Sequence, residues 1–190
     1  MPKPTAVVFP GHLLFLSSPL RSRFSGGTLR LVFYTAEEIA EILRRSAHIL
    51  GVSLQEDALH EIAKRSRFTP RTANYLLKRC RDFAQVHKEP LNRNIVGKAL
   101  ALLEIDELGL TASDRKILTT LDEKFGGGPV GLNTLAAATA EEQATVEEVY
   151  EPYLIQEGLI ERTPKGRVLT IRAYEHLGKT APKDHQKKLL

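Results

Sequence analysis

The clearest concentration of chemically capable side chains is a set of cations around one short turn, Arg162, Lys165 and Arg167. Pro164 sets the backbone φ angle in advance and Gly166 accepts a positive φ, so this segment predicts a tight connection between two strands. Guanidinium and ammonium groups placed there suit the phosphates of a nucleic acid, contacts that position a backbone without reading its sequence. The alternative is that a surface hairpin carries these cations only for solubility.

Other cations stand where they could meet an anion. Arg71 follows Thr69-Pro70 at the predicted start of a helix, and either it is aimed at an anion from that fixed position or it is one surface cation of a basic helix. Arg21 and Arg23 lie beside a predicted strand. They could present a cation to a phosphate bound by a neighbouring subunit, where it would stabilise developing charge, or they could serve solubility alone.

Several kinds of chemistry are missing from the sequence. No G-x-x-x-x-G-K-[ST] motif occurs, and the glycines at 126–128 are followed by Pro129-Val130, which indicates a turn between helices. No metal-spaced cluster appears, so we predict no metal site. Cys80, the only cysteine, lies in a helical apolar pattern and is expected to be a reduced core thiol. A net charge of +4 leans mildly toward anionic partners.

No apolar run approaches the roughly 18–20 residues of a membrane span, so the sequence predicts a cytoplasmic protein with no membrane partner.

The elements around the basic turn predict a winged helix over residues 112–178. Helices are expected after Ser113, around Leu132 and from Thr145 with Glu148 as capping partner, with Val149 facing inward and Pro152 disturbing the last helix. Gly158 is expected to end that helix before the hairpin. The hairpin strands draw on the apolar residues Leu159, Ile160, Val168, Leu169 and Ile171, and a short closing helix follows at 173–177.

Residues 35–106 predict a four-helix domain. A capping box joins Thr35 and Glu38, and a second is expected between Ser53 and Glu56. The third helix begins at Thr69-Pro70, and the fourth at Asn92 or Asn94, with Leu102 on its buried face. A polar linker at 104–111 separates the two domains.

The ends of the chain lack an independent folding pattern. Residues 29–33 alternate as in one strand, which is not stable without a sheet, so residues 1–34 are expected to be the remnant of another domain. The tail at 179–190 is basic and expected to be disordered.

Long strings of residues closely resemble the RuvB family of bacterial Holliday-junction branch-migration motors. They are Phe33-Tyr34-Thr35, Arg67-Phe68-Thr69-Pro70-Arg71-Thr72-Ala73-Asn74-Tyr75-Leu76-Leu77-Lys78-Arg79, Arg81-Asp82-Phe83-Ala84, Lys124-Phe125-Gly126-Gly127-Gly128-Pro129-Val130-Gly131-Leu132, Tyr150-Glu151-Pro152-Tyr153-Leu154-Ile155-Gln156 and Arg162-Thr163-Pro164-Lys165-Gly166-Arg167.

The resemblance implies a mainly α fold: an AAA+ helical lid, then a winged-helix DNA-binding domain, with a remnant of the α/β ATPase core in front. It implies catalytic roles for Arg21 and Arg23 and nucleotide contacts for Arg23, Tyr34 and Arg71. Which of Arg21 and Arg23 acts across the subunit boundary stays open.

Arg162 and Arg167 match the family's wing arginines that contact DNA, whereas a contact by Lys165 is predicted from its place in the basic turn. Ser22 and Phe68 stand where the family has Asp and Gly.

By the same resemblance, the whole motor is a homo-hexameric ATPase and helicase that uses ATP and Mg²⁺. It acts on four-way junctions or duplex arms in recombination and repair, with RuvA-like and RuvC-like partners. Because the chain lacks a P-loop, we expect no ATP hydrolysis by it alone. The alternatives are a stand-alone winged-helix regulator that reads bases with the helix at 145–156, or an inactive truncated remnant.

Overall fold

The computed structural model describes residues 33–182, in which a helical domain precedes a domain of helices and one β-hairpin. The helices of the first domain are α1 Ala36–Ile49, α2 Glu56–Lys64, α3 Pro70–His87 and α4 Arg93–Leu102. The second domain comprises α5 Ala112–Phe125, α6 Leu132–Thr139, α7 Gln143–Thr145, a π-helical turn Val146–Tyr150, α8 Glu151–Gln156, β1 Ile160–Thr163, β2 Gly166–Leu169 and α9 Ile171–His176. The predicted order of helices, hairpin and closing helix is confirmed.

The first domain forms because each helix has a clear start and one apolar face. Thr35 and Glu38 make the predicted capping box for α1, and Pro70 occupies the first turn of α3 behind Thr69. Asn92, not Asn94, caps α4 by accepting a hydrogen bond from the Ile95 amide at 2.9 Å. The apolar faces meet in one core, whose largest fully buried members are Ile39, Leu43, Leu59, Ile62, Leu76, Leu77, Ile95 and Leu100.

Cys80 lies fully buried within this core, as predicted. Burial raises the pKa of its thiol to about 12, while the nearby Arg65 acts in the opposite direction. The thiol therefore stays protonated near neutral pH.

The second domain is built around a separate apolar core, and the hairpin packs on it through one face. Strands β1 and β2 are antiparallel, with Ile160 opposite Leu169 and Arg162 opposite Arg167. An isolated bridge between Val130 and Arg167 joins β2 to the segment before α6. This hairpin, residues 160–169, is the wing. It is attached to the segment before α6 by backbone hydrogen bonds and to the core by apolar contact.

Three predicted helix starts are wrong. The helix α2 is preceded by Gln55, not Ser53, because the backbone around Leu54 stays extended in a bridge with Leu91. For α5 the cap is Thr111, not Ser113, and Thr111 shares a capping box with Asp114. The predicted start at Thr145 lies inside a helix that begins at Gln143 and widens into the π-helical turn just before Pro152.

Three residues predicted to be inward or in a strand lie elsewhere. Leu102 at the end of α4 is 72% exposed, and Val149 in the π-helical turn is 54% exposed. The wider π-helical turn changes which side chains face the core, which a regular helical period does not anticipate. Ile171 begins α9 instead of extending β2, because the Thr170 side chain caps that helix.

Arg21, Arg23, residues 29–32 of the strand predicted at 29–33 and the tail from 183 lie outside the described residues, while Phe33 is described and has no strand structure. Lys179, in the predicted disordered tail, is described and donates hydrogen bonds to Asp122 and Glu123. Across residues 33–182, helices long and apolar enough for a membrane crossing are not found.

Candidate nucleic-acid interface and nucleotide-facing residues

The hairpin brings Arg162 and Arg167 together, because they stand directly opposite each other in the β1–β2 register. Both guanidinium groups bind the same carboxylate, that of Glu151 at the start of α8. Arg167 does so with two atoms: its Nε lies 3.1 Å from Glu151 Oε1 and its Nη2 lies 2.9 Å from Oε2. This fork geometry fixes the Arg167 side chain firmly.

The two arginine side chains differ in their exposure to solvent, and so in their access to a partner. The Arg167 side chain is only 12% exposed, whereas that of Arg162 is 50% exposed. Arg162 donates from Nε to Glu151 Oε1 at 2.8 Å, and its Nη2 reaches Glu147 Oε1 at 3.4 Å. The structure therefore places the Arg162 side chain on the surface of the hairpin and the Arg167 side chain beneath that surface.

Lys165 occupies the tip of the turn between β1 and β2 and is exposed. It makes no hydrogen bond or ion pair with any residue that the structure describes. Its ammonium group is available to an anion without breaking an internal contact.

Glu151 is the residue of this site that sequence patterns missed. The glutamate is 2% exposed, and burial alone would raise its pKa. Hydrogen bonds from Arg162 and Arg167 outweigh that effect and hold the pKa below its ordinary value. The bond to Glu151 likewise raises the pKa of Arg162. A glutamate beside Pro152 gave no local signal of burial, since its partners lie on the hairpin.

The helices preceding the wing have the opposite charge. From Leu132 to Glu161 the sequence contains glutamates but no Lys, Arg or His. Glu147 and Glu148 in the π-helical turn are exposed. Such a surface repels phosphates. Between Leu132 and Leu169, the cations are those of the wing alone, Arg162, Lys165 and Arg167.

Arg71 and Tyr34 lie on the first domain. Arg71 is exposed in the first turn of α3, and its side chain makes no hydrogen bond or ion pair among the described residues. No acidic residue shares that turn, so the guanidinium adds its charge to the positive end of the helix without an opposing carboxylate beside it. Tyr34 is half-buried against the core just before α1.

No group of three or more His, Cys, Asp or Glu side chains between residues 33 and 182 is placed to hold a metal ion.

Two family models match the chain, covering adjacent segments. The RuvB AAA lid domain matches residues 34–106, and the RuvB C-terminal winged helix domain matches residues 107–178.

Full-length relatives show the same similarity. The chain is 55% identical over 167 residues to the Holliday junction branch migration complex subunit RuvB 2 of Synechococcus sp. (strain JA-3-3Ab), covering 87% of this chain and 45% of that protein. It is 57% identical over 163 residues to the corresponding RuvB subunit of Dehalococcoides mccartyi (strain CBDB1), covering 85% and 46%. The chain thus spans about half the length of the curated relatives it matches.

Among solved structures, the Thermotoga maritima RuvB Holliday junction branch migration motor superposes with a TM-score of 0.83 at 52% identity. The match covers 88% of this chain and 56% of that one.

Proposed function

The chain belongs to the RuvB family, and from that premise we propose that it is the C-terminal portion of an ATP-dependent DNA motor that drives Holliday junction branch migration in recombination and repair. Its own part in that activity is to bind the DNA backbone through the wing. The domain division we propose is a lid over 35–106 and a winged helix over 112–178, with 1–34 as the end of the ATPase core and 179–190 as a basic tail.

One observation carries the DNA-binding proposal: two exposed cations, Arg162 and Lys165, lie on a hairpin that follows a stretch of about 30 residues with no cation at all. A duplex is attracted to the hairpin and repelled by the preceding helices. Contacts of this type go to phosphates and carry little sequence information.

The same charge distribution argues against a stand-alone regulator. A helix that reads bases usually approaches the major groove with Arg, Lys, Asn or Gln side chains. The helix in question presents Glu147, Glu148 and Val149 on its exposed first turns, and its exposed glutamines, Gln143 and Gln156, lie at its two ends.

On the nucleotide side, we propose that Arg71 contacts a phosphate of ATP and that Tyr34 lies near its adenine. The exposed, unpartnered guanidinium at a helix start fits a phosphate group, and the half-buried ring fits a base. When bound, ATP would supply a phosphoanhydride bond whose hydrolysis releases the free energy for motion. Arg71 would stabilise the negative charge of a phosphate on its own subunit's nucleotide, while Arg21 and Arg23 would serve nucleotide contacts that include one across the subunit boundary. Mg²⁺ is proposed from the family resemblance only.

The remaining parts of the proposal concern the whole assembly. They are a homo-hexamer that acts on four-way junctions or duplex arms, with RuvA-like and RuvC-like partners, in the cytoplasm. The relatives' names mention a branch migration complex, which supports the partnership.

A salt titration of DNA binding tests the wing. The variant Arg162→Ala/Lys165→Ala should bind duplexes of unrelated sequence, and a four-way junction, more weakly than the parent. Its plot of log affinity against log salt should be shallower by about 2 units, since each phosphate contact contributes about 0.9.

The control variant is Arg172→Ala/Lys116→Ala, which removes the same charge from exposed positions off the wing. It should lower affinity far less. Equal affinities for the wing variant and the parent at low salt would overturn the proposal, and a strong preference among duplexes would favour the regulator.

A further inference from the structure

The turn before α3 contains Arg67 and Phe68, and it contacts the winged-helix domain. The Arg67 guanidinium forms a forked ion pair with Asp114 of α5, in which Nη2 lies 3.3 Å from Oδ1 and Nη1 lies 3.4 Å from Oδ2. Its central carbon also lies 4.3 Å from the centroid of the Tyr153 ring in α8. One side chain of the lid therefore contacts two helices of the winged-helix domain.

Both groups that receive Arg67 are held by further bonds. Asp114 is fully buried and accepts hydrogen bonds from the Thr111 amide at 2.8 Å and hydroxyl at 2.6 Å. The Tyr153 hydroxyl donates to the Leu108 carbonyl at 2.6 Å, and burial raises the pKa of this phenol, which keeps it protonated. A buried carboxylate that loses its cation destabilises the fold strongly. Water therefore does not replace Arg67 as the partner of Asp114.

The backbone of the turn also depends on the contact between the domains. Arg67 and Phe68 have φ angles of 55° and 52°, in the left-handed region that favours glycine. Such a conformation persists only where its surroundings hold it. Here the Phe68 side chain packs against the core of the winged-helix domain, although the residue belongs to the lid.

We propose that Arg67 and Phe68 are positioning residues that lock the winged-helix domain onto the lid, so that the two move as one body. The same turn leads into α3 and Arg71, and the helix that carries Tyr153 leads into β1 and Arg162. A displacement of the nucleotide-facing end is thereby delivered to the wing. This consequence rests on the proposed function, whereas the lock itself is a property of the chain alone.

The lock is tested without DNA, by the distance distribution between spin labels at Gln85→Cys in α3 and Glu161→Cys in β1, both exposed positions. The native Cys80 is buried and protonated, so it resists labelling. The parent should give one narrow distribution. Arg67→Gln, which leaves Asp114 without its cation, should give a clearly broader one.

Arg44→Gln is the matched control, since it breaks an ion pair with Glu56 between exposed side chains within the lid and should leave the distribution narrow. Phe68→Gly relieves the left-handed strain and removes the packing, so it should broaden the distribution with little change in melting temperature.

If Arg67→Gln does not fold, Arg67→Lys carries the test. It keeps the charge but loses the planar fork and should broaden the distribution in part. Narrow distributions in all folded variants at positions 67 and 68 would overturn the lock. If the parent does not bind DNA, only the proposed function is overturned, because the lock is measured without DNA.

Discussion

Glu151 and Arg167 form a two-point ion pair across the base of the wing, with the carboxylate 2% exposed and the guanidinium side chain 12% exposed. Arg162 shares the same carboxylate from the surface side. One buried anion thus connects α8 to both strands of the hairpin. The stability of the wing and its charge depend on the same few atoms.

The two wing arginines should differ in their effect on stability. Arg167→Ala leaves Glu151 buried with half of its partners and should lower the free energy of unfolding by about 2–4 kcal/mol. Arg162→Ala removes a half-exposed partner and should cost below about 1 kcal/mol. Urea unfolding monitored by circular dichroism measures both, with Lys165→Ala as the unaffected control. Equal losses for the two arginines would contradict the division of roles.

The pH dependence of stability should carry the signature of Glu151. Its folded pKa lies below the ordinary value, so it adds stability above the unfolded pKa of about 4.3, and this stability is lost as pH falls through the folded pKa. Glu151→Gln should be less stable than the parent near neutral pH, and the gap should narrow on acidification. Melting temperatures from roughly pH 3 to pH 7 measure this. A gap that stays constant would show that the carboxylate charge is not what stabilises the wing.

Gly166 allows β2 to approach the segment before α6. Its φ is +137°, and a Cβ there would overlap the Val130 carbonyl. The substitution Gly166→Ala should separate the paired backbones of Val130 and Arg167, which bond at 3.0 and 2.8 Å. We expect a loss above about 2 kcal/mol in unfolding free energy together with weaker DNA binding.

Gly158→Ala provides the control for that variant, because Gly158 also has a positive φ, +65°, but no atom lies within 4 Å of the added Cβ. It should cost only the backbone strain, about 1 kcal/mol. Similar losses for the two variants would mean that close approach at Gly166 contributes nothing.

Cys80 should be chemically silent in the folded protein. With full burial and a pKa raised to about 12, it should react with a thiol reagent such as iodoacetamide only as fast as the lid unfolds. Addition of guanidinium chloride should release rapid labelling, which mass spectrometry follows. Fast labelling of the native chain would show that the lid core opens readily.

Local patterns were sufficient to predict the helices and the hairpin. The capping box of Thr35 and Glu38 and the turn Pro164–Gly166 depend on residues three or fewer apart, so their types alone decide the structure. Ser53 and Ser113 failed as caps because other residues competed for the same helix starts. At α2 the bridge from Leu54 to Leu91, a contact made outside the helix itself, decides where the helix begins.

The sequence also predicted the basic character of the wing, since Arg162, Lys165 and Arg167 cluster within a few positions. The sequence alone determined that these cations share a hairpin and that the chain resembles the RuvB family. Only the tertiary structure decided that Arg167 is withdrawn onto Glu151 while Lys165 is open, and that Arg67 closes on Asp114. Those partners stand 16 and 47 positions apart, and ion pairs over such separations form only after the cores have brought the helices together.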